Sequence, residues 1–415
     1  MSRSQGVSAW EAQVSSHLPQ LSRPQARVLA QWSLGVVLAQ CCGQTVVVNV
    51  LAALLGQSEA TVRQRLREWT YAADDKAGSR RGISRREVAP ATCFAPLLGW
   101  VLSWWESRER RLALALAATT LDTRVTTLTL SVLYRGCAIP VAWVVVRAQE
   151  PGAWRPHWEW LLRQVCGSLP EDWLVVTLAD RGLYAPWLFR AIVACGWHPL
   201  LRINSGAGSG LYRPARGGGW RPLAGLLPQV GAQWAGAVVC FVEHPLACTL
   251  VARWEAGYAE GWVVLSDLAP EVAEVAWYGL RGWIEDGFKD FKRGGWQWQR
   301  MRMHDPARIS RIWLVLAVAT LWVVSVGSVA EDAAPRSHLE ALPATHHARL
   351  VATGQAAPRR VSCFRQGITT IHVACVLGRA LPRGRFRPEP WPTNGHGAAP
   401  PARARAPTRR PKTYP

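Results

Sequence analysis

The sequence predicts a mixed α/β protein carried behind a helical N-terminal domain. Two observations lead there: the hydrophobic periodicity changes near residue 95, and three strand-like segments are then followed by helix, strand and helix. In the first part, "TVVVNVLAALLGQSEATVRQRLREWTY" reads as a helix, a turn at Gly56 and Gln57, an N-cap at Ser58, and a second helix. Arg63, Arg65 and Arg67 lie on that second helix. Arg63 and Arg67 are taken as candidate DNA contacts, although any arginine-bearing helical hairpin has this appearance. Residues 73–93 are charged and loop-like, and read as a linker.

The second part is strand-rich. "RLALALAATTLDTR", "VTTLTLSVLY" and "AIPVAWVVV" alternate as strands, with a tight turn at Arg135 and Gly136 between the last two. "AWRPHWEWLLRQVCGSL" reads as a helix, "DWLVVTLADRG" as a strand and "APWLFRAIVACG" as a helix. Asp122 ends the first strand and Asp180 the fourth. A parallel pairing of those two strands would bring both carboxylates to one end of the sheet, where folds of this kind place their sites. Short strands broken by glycine-rich turns follow, as a β-rich insertion, and then a helix carrying Glu285. The expected division is residues 1–95 helical, 96–203 the first part of the α/β domain, 204–262 the insertion, 263–380 the second part, and 381–415 a basic disordered tail.

Composition narrows the class. The 415 residues carry a formal net charge of +20 and a pI near 10.5, which makes a polyanion the first partner to consider. Residues 381–415 hold seven Arg and one Lys against Glu389 alone, which suits non-specific phosphate affinity or a basic extension without function. The ten cysteines show no CxxC pair, so they read as free thiols of a reducing cytosol rather than zinc ligands. The opening residues have no apolar signal core, and a cytoplasmic location is expected. "IWLVLAVATLWVVSVGSV" is charge-free and close to spanning length. Without a second such stretch, a buried core helix is expected ahead of a membrane span.

The chemistry gathers in "YGLRGWIEDGFKDFK". Indexed as a helix, Tyr278, Arg281, Glu285 and Lys292 fall within about 60° of one another. Trp277, Leu280, Ile284, Phe288 and Phe291 make a neighbouring apolar stripe. A solvated Glu285–Lys289 pair would account for the charges but not for the shared tyrosine and arginine. Asp122, Asp180 and Glu285, with no Cys or His nearby, are the donor set of a hard cation such as Mg²⁺. Two such ions would suit phosphoryl transfer, with Mn²⁺ able to substitute.

Tyr278, Arg281, Glu285 and Lys292 resemble the Y-(2)-R-(3)-E-(6)-K signature of bacterial insertion-sequence DDE transposases. The likeness extends to "LDTR" at Asp122, "LADRGLY" at Asp180 and the β-rich insertion between the second aspartate and the glutamate. It implies a ribonuclease H-like catalytic domain in which Asp122, Asp180 and Glu285 are the metal-binding catalytic carboxylates. It also implies cut-and-paste movement through a DNA hairpin. Tyr278, Arg281 and Lys292 match the phosphate-contacting positions, and Trp262 resembles the insertion-borne tryptophan that stacks on a flipped base. The implied partners are terminal inverted repeats and target DNA, held by a homodimer. A related nuclease and a catalytically inactive, transposase-derived DNA-binding protein remain the alternatives.

Overall fold

The computed structural model describes residues 3–76, 86–150, 154–206, 210–256, 258–333 and 361–392. Four helices come first: α1 (Arg3–His17), α2 (Arg23–Ala39), α3 (Gln44–Leu55) and α4 (Glu59–Thr70). Ser22 and Ser58 cap α2 and α4 by accepting hydrogen bonds from the Gln25 and Thr61 N–H groups, and Gly56 leaves α3 in the left-handed conformation. The predicted hairpin of residues 45–71 is therefore α3 and α4. Helix α5 (Phe94–Ser103) leads into the sheet.

The sheet has ten strands. The first five are β1 (Arg111–Leu121), β2 (Val125–Tyr134), β3 (Cys137–Arg147), β4 (Leu174–Ala179) and β5 (His198–Arg202). Helix α6 (Arg155–Val165) joins β3 to β4, and α7 (Pro186–Ala194) joins β4 to β5. The other five are β6 (Leu211–Pro214), β7 (Arg221–Pro222), β8 (Gln233–Cys240), β9 (Leu246–Arg253) and β10 (Trp262–Ser266). Their order is β3-β2-β1-β4-β5-β10-β9-β8-β6-β7. Strands β1, β4 and β5 are parallel, whereas β2 and β3 return antiparallel through a two-residue turn with positive φ at Arg135 and Gly136. Residues 204–262 do not form a separate layer. Their strands extend the same sheet, because β10 pairs antiparallel with β5 and carries β9 and β8 beyond it.

Each face of the sheet buries its own core. Leu112, Leu114 and Leu116 of β1 face the larger one, with the helices. Ala113, Ala115 and Ala117 face the smaller one, with Val176, Leu178 and the residues of α8 (Gly282–Lys289). Alanines suit this second face because α8 lies very close to the sheet. A Cβ on Gly287 would come within 2.5 Å of the Ala138 Cβ, so only glycine permits the approach.

Helix α9 (Pro306–Ala333) contains the long apolar stretch. It is enclosed by protein almost throughout its apolar length, which accounts for the stretch as a core helix. Helix α10 (Cys363–Val376) crosses it at Gly327 and Gly367, where an added Cβ on either would run into the other helix's backbone. Buried Arg311 of α9 donates to the carbonyls of Thr70 and Val88 at 2.7 and 3.0 Å, and pairs with Glu87 at 2.7 Å, tying α9 to the helical domain. The ten cysteines are free thiols.

The expected disordered tail starts too early. Residues 381–392 run over the body because their apolar side chains find sites there. Phe386 is fully buried beside Trp105 and Tyr134, and Trp391 packs edge-on against Trp277. Arg385 and Arg387 bind Glu106, and Arg387 also binds Asp332. The rest of the expected tail, residues 393–415, lies outside the described residues.

Candidate functional site

Parallel pairing of β1 with β4 brings Asp180 to the rim of the smaller core, one residue past the end of β4. There its carboxylate accepts a hydrogen bond from the Gly182 N–H at 3.0 Å and another from the Arg281 guanidinium at 2.8 Å. Arg281 also reaches Glu285 at 3.3 Å. A mostly buried guanidinium thus bridges the two carboxylates, so that each is partly neutralised by the same cation. Arg181 and Arg202 flank the group, both held by Glu260.

Asp122 lies elsewhere. It occupies the turn after β1 with a φ of +50°, and pairs with Arg124 at 2.8 Å. Arg124 in turn donates to the Met301 and Met303 carbonyls at 2.5 and 3.3 Å. Asp122 and Glu285 do share a groove of about 600 Å³, lined also by Phe288, Lys289, Lys292 and Arg293. Burial lowers the pKa of Lys292, while the nearby Asp122 charge raises it. The groove is an open, cation-rich channel with acid on two walls. Lysines on one side suit the phosphates of a nucleic acid strand.

The signature segment is not one continuous helix. Residues Val275–Arg281 form a 3₁₀ helix, α8 follows, and a wider turn over Asp290–Gly294 breaks at Lys292 (φ −91°, ψ −119°). The change of helix type rotates Tyr278 away from the expected shared face and into the smaller core. There its ring meets Trp262 at 5.4 Å, and burial pushes its pKa up to about 12. Glu285 and Lys292 open onto the groove, while Arg281 is mostly buried beside Asp180 and Glu285. The expected apolar stripe packs inward except for Phe288, which lines the groove. Lys289 pairs with Asp286 at 2.6 Å rather than with Glu285. Trp262 sits between Tyr258 and Tyr278 as a packed aromatic.

On α4, Val62, Leu66 and Trp69 turn inward, leaving Arg67 exposed and Arg63 partly so, in contact with Glu59 at 3.6 Å. Arg65 is instead structural, donating to Gln31 and Gln57 at 2.8 and 3.0 Å. Neither the Arg181–Glu260–Arg202 cluster nor Arg293 was legible beforehand, because an isolated arginine carries no signal until the fold supplies its neighbours.

The side chains do not fit the expected pair of divalent ions. Among the described residues no three acidic, histidine or cysteine side chains come together as a metal site. Asp180 and Glu285 converge, but a guanidinium lies between them, and Asp122 is committed to Arg124.

Asp290, at the foot of α8, has its pKa pushed up to about 7, mainly by burial and further by Asp286, with Arg365 and Lys289 opposing. The folded state holds this proton more tightly than the unfolded chain does. The contribution is therefore fully present below about pH 4 and lost as pH rises through about 7. Asp290→Asn should remove that loss. Urea unfolding at about pH 5 and about pH 8 should show a smaller drop in stability for the variant than for the parent. An equal drop would assign the pH dependence to other groups.

A mixed sheet with a parallel centre, an aspartate at the end of one central strand and a glutamate on the helix above it is an α/β architecture whose candidate site lies at the rim of the sheet. Residues 156–322 match the family model described as "Transposase DDE domain". This span runs from α6 into α9 and contains Asp180 and Glu285, while Asp122 precedes it. A search of curated proteins finds no match. Among solved structures, a cryo-EM structure of the piggyBac transposase synaptic complex with hairpin DNA is similar over 88% of this chain and 82% of that one, at 11% identity and a TM-score of 0.32.

Proposed function

We propose that this chain is a DDE-transposase-type protein that binds double-stranded DNA and holds it along the groove between the end of β1 and α8. The transposase-domain match over residues 156–322 is the observation that carries this reading. The strand order β3-β2-β1-β4-β5, with β1, β4 and β5 parallel, supports a ribonuclease H-like core. The net charge of +20 and the groove lysines support a phosphate-backbone partner.

In this reading Lys289, Lys292 and Arg293 take the phosphates of a DNA strand, and α4 presents Arg67 and Arg63 to the duplex. Arg281 holds Asp180 and Glu285 in place beside the strand. Terminal inverted repeats, target DNA and a homodimeric complex in the bacterial cytoplasm are the partners and setting that the resemblance implies. Trp262 serves as an aromatic wall behind the site. Binding is the function the geometry supports best, and cleavage by this chain lacks an assembled third carboxylate. Divalent metal, where a transposase holds it, activates the attacking oxygen and stabilises the leaving one. The joint presence of Asp122 and Glu285 in one groove favours a second reading, an active transposase using that pair.

Retardation of a duplex carrying the inverted repeats that flank the coding DNA, compared with a random duplex, tests the proposal. A tighter complex with the repeats is expected, with no nicked product in Mg²⁺ on denaturing gels. Equal, feeble binding to both would refute the binding role, and efficient nicking would favour the second reading. Deleting residues 393–415, which hold five Arg and Lys, should flatten the slope of log K against log salt by up to about 4, leaving end preference unchanged. An unchanged slope would place this segment off the DNA.

A further inference from the structure

We infer that position 117, and not Asp122, is where a carboxylate would complete a divalent-metal site with Asp180 and Glu285, and that its alanine leaves this chain without one. The inference rests on the transposase-type reading above and deepens it.

The register carries the inference. The last paired rung between β1 and β4 is Ala115 with Leu178, so two residues further on Ala117 falls beside Asp180. Adjacent strands lie about 4.8 Å apart, which is within the span of side chains sharing one cation. Facing agrees with register. Ala113, Ala115 and Ala117 share the smaller core with Val176 and Leu178, the same alternation brings Asp180 to that face, and α8 with Glu285 lies over it. Asp122 fails on register. It lies past the end of β1, five residues beyond Ala117 and roughly 16 Å further along the strand direction, so it shares only the open groove with Glu285. Its +50° φ and its Arg124 partner hold it in the turn.

Packing leaves room for a carboxylate. Ala113 and Ala115 are small because α8 lies close above them, but Ala117 is the most exposed of the three, at 7%, and sits at the rim. An aspartate there could turn its head toward Asp180 and solvent. Charge supports the same conclusion. Two carboxylates bridged by one guanidinium have little excess negative charge with which to strip water from a divalent cation, whereas a third would restore it.

The test is Mn²⁺ binding to the full chain, read from the electron paramagnetic resonance signal of free Mn²⁺, with circular dichroism to check the fold. The parent should bind Mn²⁺ weakly, and Asp122→Asn should not change this. Ala117→Asp should tighten binding by about tenfold or more, and adding Asp180→Asn should reverse the gain. Loss of Mn²⁺ affinity in Asp122→Asn would overturn the inference, as would a folded Ala117→Asp with parental affinity. Should Ala117→Asp fail to fold, the Asp122→Asn arm decides: unchanged affinity supports the inference and reduced affinity overturns it. Retardation of the inverted-repeat duplex by the same preparations separates the two ideas. DNA binding with a failed metal test leaves the functional reading standing, and absent DNA binding removes that reading whatever the metal does.

Discussion

Gly327→Val should cost the fold about 3 kcal/mol, one of the largest single-site losses expected in this chain. At this crossing the two helices touch backbone to backbone, since a Cβ on Gly327 would overlap the Cys363 carbonyl and one on Gly367 the Val323 carbonyl. Valine can be accommodated only if α10 lifts away. Lifting it would unpack Phe364, Ile368 and Ile371, all buried against the main core. Gly367→Val should behave alike, and Gly327→Ala should be milder but still destabilising. Denaturant unfolding followed by tryptophan fluorescence would measure this, because several of the 24 tryptophans lie in the core. A change below about 0.5 kcal/mol would mean the helices cross with space to spare.

Reversing two charges in the groove, Lys289→Glu with Lys292→Glu, should weaken duplex binding by about 60-fold near 0.1 M salt. It should also flatten the salt slope by about 1.8, since each phosphate contact contributes about 0.9. Lys292 is the more telling of the two. It is half-buried with Asp122 as its nearby opposite charge, so its ammonium is positioned rather than free. Lys289 is more exposed and paired with Asp286, and alone it should matter less. Fluorescence anisotropy across a salt series would measure both quantities. If affinity falls while the slope stays fixed, the lysines shape the groove without touching phosphate.

Much of the fold was legible because its signals are local. The Ser58 cap, the turn at Arg135 and Gly136, and the alternation of β1 to β3 all appear where the residues predict them. So does the core helix at residues 312–329. The site was legible only in part. Asp180 and Glu285 stand where a strand end and an amphipathic helix put them, and they meet. Asp122 stands apart from that pair, which could not be read in advance because an aspartate closing a strand looks the same whether the strand stops level with its neighbour or overshoots it. β1 overshoots β4, and only the register reveals this. Tyr278 misled for a related reason. An ideal helical wheel assumes one helix type, and the 3₁₀-to-α change at Gly282 turns the tyrosine inward. The ordering of residues 381–392 depends on partners far away in sequence, such as Glu106 and Trp277.

Arg311 has a mechanical consequence. By grasping the Thr70 and Val88 carbonyls together with Glu87, it bolts the base of α4 to the start of α9. The start of α9 is in turn joined to the groove wall through Met301, Met303 and Arg124. Under the proposed reading, a duplex held by both α4 and the groove would be held at two points a set distance apart, and tolerance in their spacing would come from the bending and twisting of the DNA itself.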